Sequence, residues 1–95
     1  MAQLICGFIG LGLIGGSIAK ALKQADPTIR IIAYDTNSKT LDAALAQHTA
    51  DVVTPVIDAS FQDCNFIFLC APVAYNNQNL EAIKPWISPS CILTD

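Results

Sequence analysis

The sequence predicts a doubly wound parallel α/β sheet, and three features carry that prediction. Short, nearly unbroken apolar runs recur along the chain, as in strands covered on both faces. Between them lie segments with helical spacing, and this alternation calls for right-handed parallel crossovers. All five glycines fall between Gly7 and Gly16, at the exit of the first run.

Taken in order, "QLICGFIG" reads as a buried first strand. From Ile14 onward, Ile14, Ile18, Ala21, Leu22 and Ala25 repeat with helical period, while Ser17, Lys20, Lys23 and Gln24 turn outward. Asp26-Pro27 stops this helix, because proline disfavours helical geometry in the residue before it. "IRIIAYD" is a second buried strand ending at Asp35. Asn37 or Ser38 can cap a second helix, whose inner stripe is Leu41, Ala44 and Leu45, with His48 next in line. "DVVT" is a short third strand closed by Pro55, and the stretch from Val56 to Asp63 is a loop with at most one helical turn. "NFIFLC" is a fourth strand, ended by Ala71-Pro72-Val73. The segment from Tyr75 to Lys84 is a third helix with Leu80 and Ile83 inward and the run Asn76-Asn77-Gln78-Asn79 as a solvated face. "SCILTD" is the fifth strand. The resulting sheet has the order 3-2-1-4-5, a dinucleotide-binding, Rossmann-like architecture short of its last strand. Residues 1–95 form one domain, with no internal linker or repeat.

Composition narrows the function classes. With 95 residues and 53% apolar side chains the chain can close one modest core. A net charge of −3, with Lys20, Lys23, Arg30, Lys39 and Lys84 dispersed, leaves no footprint for nucleic acid. The first charged residue is Lys20, behind the opening apolar run rather than before it, and the glycines would weaken a membrane helix. That pattern argues against an export signal or membrane anchor. Cys6, Cys64, Cys70 and Cys91 show no metal-ligand spacing and read as core thiols of a reducing, cytoplasmic compartment. His48, the only histidine, reads as structural, and no catalytic triad, carboxylate pair or metal cluster assembles.

The chemistry lies in Gly10-Leu11-Gly12-Leu13-Ile14-Gly15, a G-x-G-x-x-G pattern. It follows a strand, opens a helix, and is followed twenty residues later by Asp35 at the end of the next strand. Gly10 lets the chain turn sharply, Gly12 removes a Cβ that would strike a pyrophosphate, and Gly15 brings helix and strand close together. Free amides at the helix start then neutralise phosphate oxygens. Asp35 would accept hydrogen bonds from the adenosine ribose and repel a 2′-phosphate, which favours NAD over NADP. Lys39, just beyond, could meet a phosphate and keeps NADP open. Cys70-Ala71-Pro72-Val73 sits beside the switch point of the sheet, either lining the nicotinamide-side ribose or simply ending the strand.

The string "GFIGLGLIGGSIAKALK" resembles the opening of prephenate and arogenate dehydrogenases, the enzymes of tyrosine biosynthesis. Gly15-Gly16-Ser17, Ile18-Ala19 and Ala21-Leu22 carry the resemblance; related hydroxyacid dehydrogenases have methionine where this chain has Ile14. "IFLCAPV" and "ILTD" are similar to the same family. The resemblance implies an NAD(P)-dependent oxidation of prephenate to 4-hydroxyphenylpyruvate with loss of carbon dioxide. It also implies a homodimer completed by a helical substrate domain, and a serine-lysine segment and catalytic histidine following Asp95. On that reading this chain is an excised cofactor domain, inactive alone, with an exposed apolar edge at Cys91 to Thr94 that self-associates or is capped. The rival readings are the NAD(H) domain of another hydroxyacid or imine dehydrogenase and a non-catalytic nucleotide-sensing domain.

Overall fold

The computed structural model describes residues 3–94, apart from the side chain of Val73. Its elements follow the order β1 (Ile5–Ile9), α1 (Gly12–Ala25), β2 (Arg30–Tyr34), α2 (Ser38–Ala46), β3 (Val52–Thr54), β4 (Phe66–Leu69), α3 (Val73–Ile83) and β5 (Ile92–Thr94). Single 3₁₀ turns occupy Ala59–Phe61 and Lys84–Trp86. All strand pairs are parallel, in the order β3-β2-β1-β4-β5 that the sequence predicts. The Asp95 end of the predicted fifth strand lies outside the described residues. No described helix is long and apolar enough to cross a membrane.

Strand alternation splits the core into two layers. Cys6 and Phe8 of β1 and Ile31 and Ala33 of β2 face α1 and α2, where they meet Ala19, Leu41 and Ala44. Ile9, Ile32 and Ile67 face the opposite side, with Phe61 and Ile83. Phe8 and Phe68, paired across β1 and β4, stack with ring centroids 4.9 Å apart, so the central strands are joined by side chains as well as by their ladder. Phe61 closes the second layer by pressing on β1: a Cβ on Gly7 would lie 2.9 Å from its ring.

The inner face of α1 differs from the predicted stripe. Gly15 and Ala19 are buried and Ile18 and Leu22 partly so, whereas Ile14 is 73% exposed and Ala21 and Ala25 face solvent. The helix runs so close to the sheet that its smallest residues occupy the contact, and the bulky Ile14 is turned out. Lys23, predicted to point outward, instead lies against the protein and donates from Nζ to the Ile29 carbonyl and to Asp51 Oδ2, each at 2.6 Å.

Asn37 caps α2, its Oδ1 accepting from the amides of Lys39 and Thr40. Leu41 and Ala44 are buried as predicted, but Leu45 is largely exposed and His48 lies past the helix end. His48 adopts φ 56°, with its amide on the Leu45 carbonyl and that of Thr49 on the Ala44 carbonyl. This is the left-handed, doubly bonded helix stop that usually recruits glycine. His48 therefore has a backbone role.

Candidate functional site

The site begins where β1 gives way to α1. Gly10 holds φ 84°, its amide donates to the Tyr34 carbonyl at 2.8 Å, and an added Cβ would lie 2.7 Å from the Ala71 backbone. No side chain fits between the exits of β1 and β4, so Gly10 is required both by conformation and by space. Leu11 turns inward and is buried. Its amide donates to Asp35 Oδ2 at 3.0 Å, while Asp35 Oδ1 accepts from Asn37 at 2.9 Å.

Gly12 opens α1 with φ 52°, and a Cβ there would meet nothing within 4 Å. The space above it is open, and the first amides of a helix have no partner within it. Gly15 faces the other way: its Cβ would lie 3.0 Å from the Gly10 carbonyl oxygen and 3.3 Å from Cys70 Cβ. Gly15 sets the distance between helix and sheet, and Gly12 leaves a vacant floor.

Across from this turn, the amides of Cys70 and Ala71 both donate to the Ile9 carbonyl, at 3.0 and 3.1 Å, which fixes the β4 exit against β1. Pro72 stands before α3, and its carbonyl accepts from the Tyr75 amide at 2.8 Å. Burial pushes the Cys70 thiol pKa up, so this residue meets the cleft as a neutral thiol.

These turns enclose a cleft of about 800 Å³ at the carboxyl ends of the strands, where β1 lies between β2 and β4 and the strand order reverses. Gly10, Leu11, Gly12, Asp35, Cys70, Ala71 and Pro72 all line it. Leu13, 92% exposed, and Ile14 do not; Leu13 borders a second groove of about 480 Å³ between α1 and α2. The predicted contribution of the Val73 side chain lies outside the described residues. Sequence reasoning missed the α3 wall: Tyr75, Gln78, Asn79 and Ala82 line the cleft, spaced as one helical face. That spacing was the available signal, hidden within a polar run.

Among the described residues lining the cleft, Asp35 is the one with a charge, and no histidine or lysine joins it. The arrangement offers open space at Gly12, where a phosphate could lie, and acceptor capacity at Asp35 that a hydroxyl could use. A dinucleotide is compatible with these features: the space at Gly12 is open, and the cleft volume of about 800 Å³ is of the size that holds a cofactor.

Comparison with known proteins agrees with this geometry. Residues 18–95 match the family model for the prephenate dehydrogenase nucleotide-binding domain, a span that begins after the glycine turn. The chain is 33% identical over 87 residues to a cyclohexadienyl dehydrogenase of Zymomonas mobilis, covering 92% of this chain and 30% of that protein. The crystal structure of Synechocystis arogenate dehydrogenase superposes with a TM-score of 0.89 at 30% identity, over 97% of this chain and 32% of that one. Prephenate dehydrogenase from A. aeolicus, solved with hydroxyphenyl propionate and NAD+, superposes with a TM-score of 0.91 at 25% identity, over 100% and 34%. The chain thus spans about a third of the length of these relatives. It belongs to the prephenate and arogenate dehydrogenase family, as a nucleotide-binding domain of that family.

Proposed function

We propose that this chain is the cofactor-binding domain of a dehydrogenase that takes NAD in preference to NADP, and that the complete enzyme oxidises prephenate to 4-hydroxyphenylpyruvate. The observation that carries the reading is the pairing of the vacant floor at Gly12 with a carboxylate bonded to the neighbouring Leu11 amide. The amides at the start of α1 hold the pyrophosphate, aided by the positive end of the helix dipole. Each carboxylate oxygen of Asp35 accepts one backbone amide and keeps acceptor capacity for a ribose hydroxyl. A 2′-phosphate would bring like charge against the same carboxylate, which disfavours NADP. The turn from Cys70 to Val73 borders the nicotinamide-side ribose.

When bound, the nicotinamide accepts hydride from the substrate alcohol. This chain's residues bind and orient that acceptor. Of the groups at the cleft that can carry a proton, Tyr34, Asp35, Cys70 and Tyr75, none is assigned to catalysis, and the chain by itself is proposed to bind without turnover. The NAD+ bound in the A. aeolicus relative supports the cofactor reading. A role in tyrosine biosynthesis, a homodimeric complete enzyme and a cytoplasmic location are part of the same proposal. A cleft with no histidine or lysine among its described lining residues also suits a nucleotide-sensing domain, the second reading.

Calorimetric titration with NAD, NADP and their reduced forms tests it. Binding of NAD at least several-fold tighter than NADP is expected. NADP binding more tightly would overturn the role given to Asp35, and binding of neither dinucleotide would overturn the domain's function.

A further inference from the structure

The groove between α1 and α2 is a space of its own. It measures about 480 Å³, within the range that holds a small molecule, and shares only Leu11 and Gly12 with the larger cleft. One wall is α1, where Gly12, Gly16 and Lys20 recur every fourth residue along one face. The other is α2, with Ala43 and Ala44.

The fold does not account for Gly16. A glycine inside a helix weakens it. No positive φ demands glycine at this position, and a Cβ there would meet nothing within 4 Å. Neither backbone conformation nor packing calls for the missing side chain, and its absence leaves the groove open.

Thr49 carries a second, independent sign of an occupant. It is only 4% exposed and lines the groove. Its amide donates to the Ala44 carbonyl at 2.9 Å, but among the described residues its hydroxyl has no hydrogen-bond partner. A buried hydroxyl left unpaired carries a desolvation penalty that a bound polar group relieves.

The lining also sets the chemistry of that group. Lys20 is the one charged residue on the groove, and the ion pairs among the described residues, Lys23 with Asp51 and Lys84 with Glu81, leave it free. Helices α1 and α2 each cross back from a strand of one parallel sheet on the same face, so they run in the same direction. The late positions Lys20 and Thr49 therefore stand toward one end of the groove, which suits an anion that can also accept a hydrogen bond. Beside them, Gly16 on one wall and Ala43 and Ala44 on the other leave a slot for a thin apolar body, with Leu13 at its rim.

We propose that the α1–α2 groove is a second binding site, separate from the dinucleotide cleft, for a small organic carboxylate with a planar apolar body. The carboxylate lies at Lys20 and accepts from the Thr49 hydroxyl, and the body fills the slot beside Gly16.

The test titrates the chain with benzoate, followed by amide NMR shifts, with neutral benzamide as the matched probe. Benzoate is expected to bind at about millimolar concentration, as befits so few atoms, with saturable shifts at Gly16, Ala43 and Thr49. Benzamide should bind about threefold more weakly, the share that a solvent-exposed charge contributes. Lys20→Gln should bring benzoate down to the level of benzamide and leave benzamide unchanged. Gly16→Leu fills the slot and should abolish binding of both. Thr49→Val, of nearly the same shape, should weaken benzoate several-fold and carries the test if the amide spectrum shows that Gly16→Leu disturbs the fold. An absence of saturable shifts overturns the site. Shifts that centre on Asp35 and Ala71 overturn it too, because they place the probe in the cleft. Equal binding of benzoate and benzamide overturns the role of Lys20 and with it the carboxylate class.

Discussion

The amide of Leu11 and the carboxylate of Asp35 are joined at 3.0 Å across the exits of β1 and β2. The acid proposed to bind the ribose therefore also holds the glycine turn in place. Replacing it removes two kinds of interaction together. Asp35→Ala is expected to cost about 1–2 kcal/mol of stability, through the lost bonds to Leu11 and Asn37, and to weaken NAD binding about tenfold or more. Asp35→Asn keeps an oxygen acceptor and removes the charge, so it should move the NADP-to-NAD affinity ratio toward NADP with a smaller loss of stability. Thermal melts and paired titrations of the two variants check this. Equal behaviour of both would show that the charge has no part in cofactor choice.

The clustered glycines separate by what a side chain would meet at each. Gly10→Ala places a Cβ 2.7 Å from the Ala71 backbone at φ 84°, and is expected to destabilise the chain by about 3 kcal/mol or more. Gly12→Ala adds strain of about 1–2 kcal/mol but no clash, since the space above it is open. Its main effect should be loss of NAD binding by a folded protein. Gly16→Ala fills open space within α1 and should stabilise by about 0.5–1 kcal/mol. Denaturant melts with parallel titrations distinguish these three outcomes.

Strand order and the glycine turn were legible because each is written in local pattern: apolar runs, helical spacing, and an acid at a fixed distance. The phase of α1 was not, because periodicity assumes that the largest apolar residues face inward. Here Gly15 has to pack against Gly10 and Cys70, and Ile14 is turned out as a result. The cleft face of α3 was equally hidden, since Gln78 and Asn79 look the same in sequence whether they meet water or a ligand. The pairing of Lys23 with Asp51 spans 28 positions and depends on how α1 settles on β2, which no local signal encodes.

That pairing governs the response to acid. Burial alone would raise the pKa of Asp51, but hydrogen bonds from Lys23 and the Ile31 amide, with the charges of Lys23 and Arg30, more than offset it and hold the group below its ordinary value of 3.8. A carboxylate depressed in the folded state contributes stability that is complete above its unfolded value and is lost as pH falls through its folded value. Asp51→Asn should therefore be less stable than the parent near pH 7, by about 1 kcal/mol once solvent screening of this part-exposed pair is allowed for. The difference should close as pH drops below 3.8. Asp26 and Asp58 are lowered too, by bonds to Thr28 and Ser60, so the difference between parent and variant isolates Asp51. A difference that persists at low pH would mean that Asp51 acts through packing rather than charge.

On the other side of the sheet, β5 pairs with β4 alone among the described strands, and Ile92 on it is 54% exposed. An unpaired strand edge with an apolar side chain is a template for another chain. The protein is expected to self-associate as its concentration rises, and Ile92→Lys should shift it toward monomer. Sedimentation velocity across a concentration series reads this directly, and a parent that stays monomeric throughout would remove the edge as a contact.

The four free cysteines provide a chemical probe of both core and cleft. Burial, with smaller contributions from the nearby Cys91 and Cys6 thiols and Asp63, pushes Cys64 up to about 12. Burial also raises Cys6, Cys70 and Cys91. Thiolate is the reactive form, so every site should react slowly at pH 8. Cys6 and Cys64 are buried and should remain unlabelled until the chain unfolds, whereas the half-buried Cys70 and Cys91 should label in the native state. Of these two only Cys70 lines the cleft. Saturating NAD should therefore slow the labelling of Cys70 several-fold and leave Cys91 as an internal control. Mass spectrometry of the peptides after timed alkylation gives both rates in one experiment. Equal protection of the two would point to general tightening of the fold, and protection of neither would place the ligand away from the β4 exit.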